Sequence, residues 1–168
     1  AGQLGGFGGD SIPSVATNRL FLGSGGGSGG LRAQTGNNND ASRTRSGAPG
    51  GGLLLLRAAV ITGTGTILNN GGHFYTECAF QPQYCRAEDD SAGGGGTGGT
   101  IAMFATERIT GSISTQVNGG VGTSQESSLY GPGGGGAPGS VYLIAGEEIS
   151  FTAIDGIREN QGTAGLEN

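Results

Sequence analysis

The chain has little charge and takes all its basic residues from one type. Eight residues are basic and 13 are acidic, every basic position is arginine, and there is no lysine. The formal net charge is −5 and the pI is near 4.7. Domains that bind nucleic acid carry a basic stripe or patch, usually with a high pI. The composition therefore predicts no nucleic-acid partner.

Long hydrophobic runs are also missing. A helix that crosses a bilayer needs roughly 20 apolar residues, whereas the most apolar stretch, "GLLLLRAAVI", is far shorter and contains Arg57. We therefore expect no membrane span. The chain begins with "AGQLGG" and lacks the pattern of a signal peptide, as expected for a mature secreted protein or for a fragment.

Thiol and imidazole groups are scarce. Cys78 and Cys85 are the only cysteines and His73 is the only histidine. These side chains fall short of the four ligands of a structural zinc site, and there is no G-x-S-x-G motif to accompany a histidine base. The close spacing of the cysteines predicts a Cys78–Cys85 disulfide, with two free buried thiols as the alternative. A disulfide favours an oxidising compartment, so we expect an extracellular or cell-surface protein.

Glycine, in contrast, is abundant, with 40 of 168 residues, while apolar residues make up 33 %. Such a composition can indicate disorder, but the net charge is small and the apolar residues gather in blocks. We therefore predict one ordered domain over residues 1–168 with a thin core and long loops. No stretch keeps a 3.6-residue period over ten residues, so almost no helix is expected.

The apolar blocks repeat along the chain. An Ile-Thr-Gly and an Asn-Gly-Gly tripeptide of the first block recur in the second block at one constant spacing (61 to 109, 70 to 118). Apolar residues of the second block recur in the third at another constant spacing (101 to 141, 109 to 149). This pattern predicts three repeat cores separated by two variable inserts. The cores are residues 51–72, 99–120 and 139–160, and the inserts are residues 73–98 and 121–138.

Each repeat core is predicted to contain two short strands joined by a bend. Alternating apolar residues indicate the first strand, and segments rich in Thr, Ile and Val indicate the second. The segment "LLLLR" is apolar on both faces, which suits a strand covered on both sides. The fold class is therefore all-β. A parallel β-solenoid is favoured because equivalent positions of a repeat can then stack, and an antiparallel β-sandwich is the alternative.

Glycine tracts precede the first strand of the repeats, as in "GAPGGG", "GGGGTGG" and "GPGGGGAPG". Ordering a glycine costs about 0.5–1 kcal/mol more than ordering an alanine. Stacked repeats would bring the tracts side by side, where their N–H and C=O groups could pair. We predict extended tracts with the three-residue pitch of polyproline II; flexible linkers are the alternative.

The first insert contains the candidate site residues. An aromatic group next to the cysteines is a candidate ligand-binding surface, because aromatic rings stack on sugars and bury much area. Its members are Phe74, Tyr75, Phe80 and Tyr84. The acidic residues Glu88, Asp89 and Asp90 could bind Ca²⁺ or act as the acid and base of a glycosidase. A solvated loop explains them better, so we predict no catalytic residues and no cofactor, with Ca²⁺ as the one candidate ion.

The order of glycine tract, "TIAMFA", "ITGSIS" and "NGG" resembles glycine-rich repeat segments of large bacterial secreted and cell-surface proteins, over residues 47–155. The resemblance implies a β-helix or adhesin region. The glycine tracts alone also resemble the glycine-rich adhesins at phage tail-fibre tips. We therefore expect a structural or adhesive extracellular protein, not an enzyme, whose partner is a further copy of itself in an oligomer or fibre, or a surface glycan or receptor. The alternatives are a polysaccharide-acting enzyme and a receptor-binding tail tip.

Overall fold

The computed structural model describes residues 6–10, 20–29, 46–73, 93–122, 132–151 and 157–158. These residues contain five strands and no helix, so none of them forms a helix that could cross a membrane. The strands are β1 (Leu53–Leu68), β2 (Thr100–Gln116), β3 (Ser140–Ala145), β4 (Glu148–Phe151) and β5 (Ile157–Arg158). The prediction of an all-β chain is confirmed for this part of the chain.

All five strands belong to one parallel sheet, in which β2 lies between β1 on one side and β3, β4 and β5 on the other. Ile61 pairs with Ile109, and Ile109 pairs with Ile149, so the predicted ladder of equivalent isoleucines is confirmed. Because all these pairings are parallel, the antiparallel sandwich is wrong for the described strands.

The register differs from the predicted one in the first half of the repeat. From Val60 onward, β1 pairs with β2 as the repeated tripeptides predict (60 with 108, 61 with 109). Up to Ala58, each residue of β1 pairs with a residue of β2 one position earlier than predicted (58 with 105). β2 therefore has one more residue than β1 where the register shifts. Ile101 of β2 pairs with Val141 of β3, as predicted.

The long strands fold back on themselves. β1 has 16 residues, which would span roughly 53 Å if straight, at about 3.3 Å per residue. Nevertheless, the residues that flank it are in contact, since Gly52 N–H donates to Asn69 Oδ1 at 2.8 Å and Asn69 Nδ2 donates to Gly52 O at 2.9 Å. Each repeat is thus an arch with a first arm, a bend and a second arm.

The bend lies at the same level in each arch. In β1 and β2 it coincides with the register shift after Ala58, and in the third repeat Gly146 and Glu147 separate β3 from β4. The first arms are residues 53–58, 100–105 and 140–145, and the second arms are residues 61–68, 109–116 and 148–151. The sequence predicted two strands per repeat; in β1 and β2 the two arms remain one continuous strand.

The core is thin and centres on β2. Ile101, Met103 and Ile109 are completely buried, and apolar residues of the neighbouring arches pack against them. The edge strand β1 is different, because Leu53 is 43 % exposed and Leu55 is 54 % exposed. The expectation that "LLLLR" is covered on both faces is therefore wrong for these two residues.

The glycine tracts pack into a three-dimensional array below the arches, which we call the glycine lattice. It consists of segments 6–10, 20–29, 46–52, 69–73, 93–99, 117–122 and 132–139. Segment 93–99 is central and exchanges hydrogen bonds with all six others. Its successive N–H groups donate at 2.8–3.2 Å to three different segments in turn, so that every third N–H donates to the same segment. This three-residue period is the period of polyproline II. The donor–acceptor pairs are Gly94–Gly27, Gly95–Gly134, Gly96–Gly72, Thr97–Ser24, Gly98–Ala137 and Gly99–Asn69.

The carbonyl groups of the central segment accept hydrogen bonds from the three remaining neighbours. Gly94 O and Thr97 O accept from segment 46–52, Gly95 O accepts from Gly9, and Gly96 O accepts from Gly120. The expectation that neighbouring tracts satisfy each other's main-chain groups is confirmed. Glycine is required at such contacts: a Cβ built at Gly96 would lie 2.0 Å from Pro49 O.

Candidate binding surface

The outer face of the second arms carries a regular set of hydroxyl groups, with Leu68 and Gln116 at its lower end. Side chains alternate between the two faces of a strand, and Ile61 and Ile67 pack against the core. The even-numbered residues between them therefore lie on the opposite face. In β1 these are Thr62, Thr64 and Thr66, all exposed, and in β2 they are Thr110, Ser112 and Ser114, all half-buried.

The hydroxyl residues form a two-dimensional array, which we call the hydroxyl face. Each member of β1 pairs with its counterpart in β2, and Ser150 extends the first row into β4. Rows are separated by about 6.6 Å along a strand and files by about 4.8 Å between strands. Thr110 Oγ1 lies 3.4 Å from Thr62 Oγ1, within hydrogen-bonding distance.

In β1 and β2 the hydroxyl face is electrically neutral, whereas in β4 the exposed Glu148 lies two residues before Ser150. Residues 61–68 and 109–116 contain no charged side chain. Charges gather at the bend, where Arg57, Arg108 and Glu147 are exposed, and Arg108 Nη1 lies 3.7 Å from Glu107 Oε2. An exposed ion pair contributes little to stability, so we assign these residues no structural role.

The hydroxyl face is held by anchors at its lower end. Asn69, directly after β1, bonds Gly52 twice and donates from Nδ2 to Thr100 O at 2.9 Å, which joins two arches. Asn70 Oδ1 accepts from Asn118 N at 2.8 Å, and His73 Nδ1 accepts from Val121 N at 3.0 Å. Threonine adds rigidity of its own, because its branched Cβ restricts χ1.

The site residues predicted from sequence lie outside the described residues. This applies to Phe74, Tyr75, Phe80 and Tyr84, to Cys78 and Cys85, and to the Ca²⁺ candidates Glu88, Asp89 and Asp90. His73 belongs to the described part and is exposed, as expected for a surface histidine. The aromatic surface, the disulfide and the ion site therefore stay predictions.

The described residues form no metal site, and a cavity among them holds a single carboxylate. No three of their His, Cys, Asp and Glu side chains come together as metal ligands. A shallow cavity of about 580 Å³ is lined by Phe7, Asp10, Gly135 and Pro138, among others. Among its described lining residues Asp10 is the only carboxylate, and acid–base hydrolysis of a glycosidic bond needs two.

The hydroxyl face is the functional candidate that sequence reasoning missed. Its signal is the alternation in "TGTGT" (residues 62–66) and "TGSIS" (residues 110–114), which the sequence analysis used only as evidence for strands. Its meaning depends on the register, because the rows exist only where Thr62, Thr64 and Thr66 stand beside the corresponding residues of β2.

Comparison with known proteins provides no further guide, because no family model, no curated protein and no solved structure matches the chain. We therefore infer function from the arches, the glycine lattice and the hydroxyl face.

Proposed function

We propose that the protein is a stiff extracellular scaffold with an adhesive surface. The arches form the scaffold, the glycine lattice fixes their lower ends, and the hydroxyl face contacts a surface glycan. The observation that carries this proposal is the complete pairing of the central segment, in which every N–H from Gly94 to Gly99 has a carbonyl acceptor.

Stiffness follows from the number of directions in which the lattice is bonded. A strand in a sheet has hydrogen-bonded neighbours on two sides, whereas segment 93–99 is bonded to six segments. Moving one segment therefore breaks bonds to several others. Each such bond contributes about 0.5–1.5 kcal/mol net, so the lattice resists bending even though the apolar core is thin.

Adhesion to a glycan follows from the chemistry of the hydroxyl face. Hydroxyl groups both donate and accept hydrogen bonds, which suits a polymer that carries hydroxyls on every sugar. The face is flat, neutral and periodic, so several sugar units of an extended chain could be contacted in the same way. Because the threonine side chains are held on a bonded sheet, little conformational entropy is lost on binding.

The test is sedimentation of the protein with insoluble polysaccharides such as cellulose, chitin and peptidoglycan. The triple variant Thr62→Val, Thr64→Val, Thr66→Val removes the exposed hydroxyls of β1 and keeps the branched shape. We expect the bound fraction to fall at least fivefold with the polysaccharide that retains the wild-type protein.

The matched control is Thr106→Val, which removes an exposed hydroxyl of β2 at the bend, away from the hydroxyl face. It should bind like the wild-type protein. Equal binding by the triple variant and the wild-type protein, or no retention by any polysaccharide, would show that the hydroxyl face is not an adhesive surface.

A further inference from the structure

One edge of β1 is long and has no partner among the described strands. Among the described strands only β2 pairs with β1, so the other side of this 16-residue strand has no strand neighbour. Proteins usually block such edges with proline, lysine or a bulge that turns the edge away. β1 contains no proline and no lysine, and Arg57 is its only charged residue.

The side chains along this edge also lack a cover. Leu53 and Leu55 are 43 % and 54 % exposed. Their counterparts in β2 are Thr100, which is 1 % exposed and donates from Oγ1 to Phe21 O at 2.7 Å, and Ala102, which is 0 % exposed. The first arm of β1 is thus an exposed apolar surface at a position that is buried in the next arch.

The glycine lattice ends at the same edge. In the register of the first arms, Gly47 and Gly50 occupy the positions that Gly94 and Thr97 occupy in the next repeat. Gly94 and Thr97 each donate to segment 20–29 and accept from segment 46–52. Among the described residues, neither the N–H nor the C=O of Gly47 or Gly50 has a partner. The lattice therefore presents the same bonding groups to a neighbour that it uses internally.

Near the bend, the two edges of the sheet carry opposite charge. Arg57 is the only charged residue of β1, while Glu147 and Glu148 are the only charged residues between Ser140 and Phe151. All three lie near the bend: by the internal register Arg57 would face Ile144 of the second copy and Val60 would face its Glu148, so the opposite charges would stand about three residues apart along the strands. This pairing favours head-to-tail contact and disfavours contact between two β1 edges.

We propose that the β1 edge and segment 46–52 form the docking site for the third arch of a second copy of this chain. This inference rests on the proposed scaffold function and extends it. The copies associate in parallel, in the register of β2 on β1, so that Val141 of the second copy pairs with Leu54 and its Ile149 pairs with Ile61. Because the two edges are different surfaces, the association is heterologous and continues into a filament.

We call the contact between the two copies the joint. The glycine lattice continues across the joint with one hydrogen bond instead of two. By the internal register, Gly135 and Pro138 of the second copy face the carbonyls of Gly47 and Gly50. Proline has no N–H, so only Gly135 can donate. We therefore expect an association that depends on concentration, and a tighter one in the variant Pro138→Gly.

Disulfide trapping with the double variant Leu53→Cys, Ser140→Cys tests the register. Within one copy, Thr100 lies between these two residues, so their Cα atoms are two strand spacings apart, about 9.6 Å, beyond the roughly 7 Å limit for a disulfide. Across the joint they are direct partners at about 4.8 Å. We expect mild oxidation to give a ladder of covalent multimers on non-reducing gels.

Each single cysteine variant and the wild-type protein, which keeps Cys78 and Cys85, should give no ladder. A double variant that stays monomeric under oxidation would overturn the proposed register.

A second measurement does not depend on engineered thiols. Thr100 N–H donates to Gly52 O, so the backbone groups of Gly52 point toward β2. Successive residues of a strand direct their N–H and C=O groups to opposite sides, so the N–H of Leu55, three residues further on, points to the free edge. Leu55→Pro should remain monomeric in sedimentation velocity, while Leu55→Val should associate like the wild-type protein.

Equal association of these two variants, or a wild-type protein that stays monomeric at high concentration, would refute docking at this edge. None of these substitutions lies in the hydroxyl face. Retention by polysaccharide can therefore be measured on the same variants, and its loss would count against the adhesive function alone.

Discussion

A single methyl group at the centre of the glycine lattice should destabilise the whole protein. Gly96 donates to Gly72 O at 3.2 Å and accepts from Gly120 N at 2.8 Å. A Cβ at this position would lie 2.0 Å from Pro49 O and 2.5 Å from Pro49 C. The clash is with backbone of a hydrogen-bonded segment, which cannot rotate away as a flexible side chain could. Gly96→Ala must therefore displace a segment.

The expected cost has two parts. Overpacking a dense interior costs about 1–3 kcal/mol, and loss of the two hydrogen bonds of Gly96 adds about 0.5–1.5 kcal/mol each. Alanine also lowers the conformational entropy of the unfolded chain, which offsets about 0.4–1 kcal/mol of this cost. The net loss in free energy of unfolding is about 1–5.6 kcal/mol, or roughly 2–22 °C in Tm for a chain of this size.

Gly25→Ala is the matched control in the same lattice. The nearest atom to a Cβ at Gly25 is Ala48 O at 3.4 Å, an ordinary contact. The unfolded-state effect should therefore dominate and raise stability by about 0.4–1 kcal/mol. The assay is thermal unfolding followed by circular dichroism and calorimetry, with both variants measured beside the wild-type protein. Equal Tm values for Gly96→Ala and Gly25→Ala would refute close packing of segment 93–99.

Two further pairs of variants test the arches. Thr115 and Thr100 are both buried, but among the described residues Thr115 Oγ1 has no hydrogen-bond partner, whereas Thr100 Oγ1 donates to Phe21 O. Thr115→Val should therefore raise the free energy of unfolding by about 1 kcal/mol, and Thr100→Val should lower it by about 1–3 kcal/mol. Denaturant titrations that give both changes the same sign would contradict this. Ile109 and Ile149 are partners in one ladder, but Ile109 is buried and Ile149 is 46 % exposed. Ile109→Ala should lower the free energy of unfolding by about 2–5 kcal/mol, and Ile149→Ala should lower it by less than half of that. Equal losses would argue against a core centred on β2.

The register could be predicted from sequence because the repeats keep identical tripeptides. Ile61-Thr62-Gly63 and Ile109-Thr110-Gly111 align without gaps, and parallel stacking places like on like. The shift before Val60 could not be predicted in this way, since "LLLLRAA" and "IAMFATE" share no anchor residue that fixes the alignment. Its cause is the extra residue at the bend of β2, which is a property of the turn and not of the alternation.

The lattice and the hydroxyl face were predictable only in part. Glycine-rich composition indicates that tracts can approach closely, but not which tract becomes central. Segment 93–99 is central because chain segments from before β1 and after β2 surround it, an arrangement that depends on the three-dimensional path of the chain. The hydroxyl face likewise needs Thr64 beside Ser112, and therefore becomes visible only once the register between the two second arms is established.

The position of the glycine tracts directly against the strands has a geometric reason. Within a sheet, neighbouring strands approach to about 4.8 Å, but sheets that face each other through side chains stay about 10 Å apart. The two arms of an arch must nevertheless meet at their lower ends, where Gly52 contacts Asn69. At this point the first arm carries no side chain, because the Asn69 side chain lies against the Gly52 backbone and the segments of the glycine lattice hydrogen-bond in several directions. Glycine permits this approach, so the first arch changes from lattice to sheet at Gly51 and Gly52, where it closes on Asn69. A lattice that closes the arches also keeps their arms from separating, which explains how a core as small as that of β2 can hold the fold together.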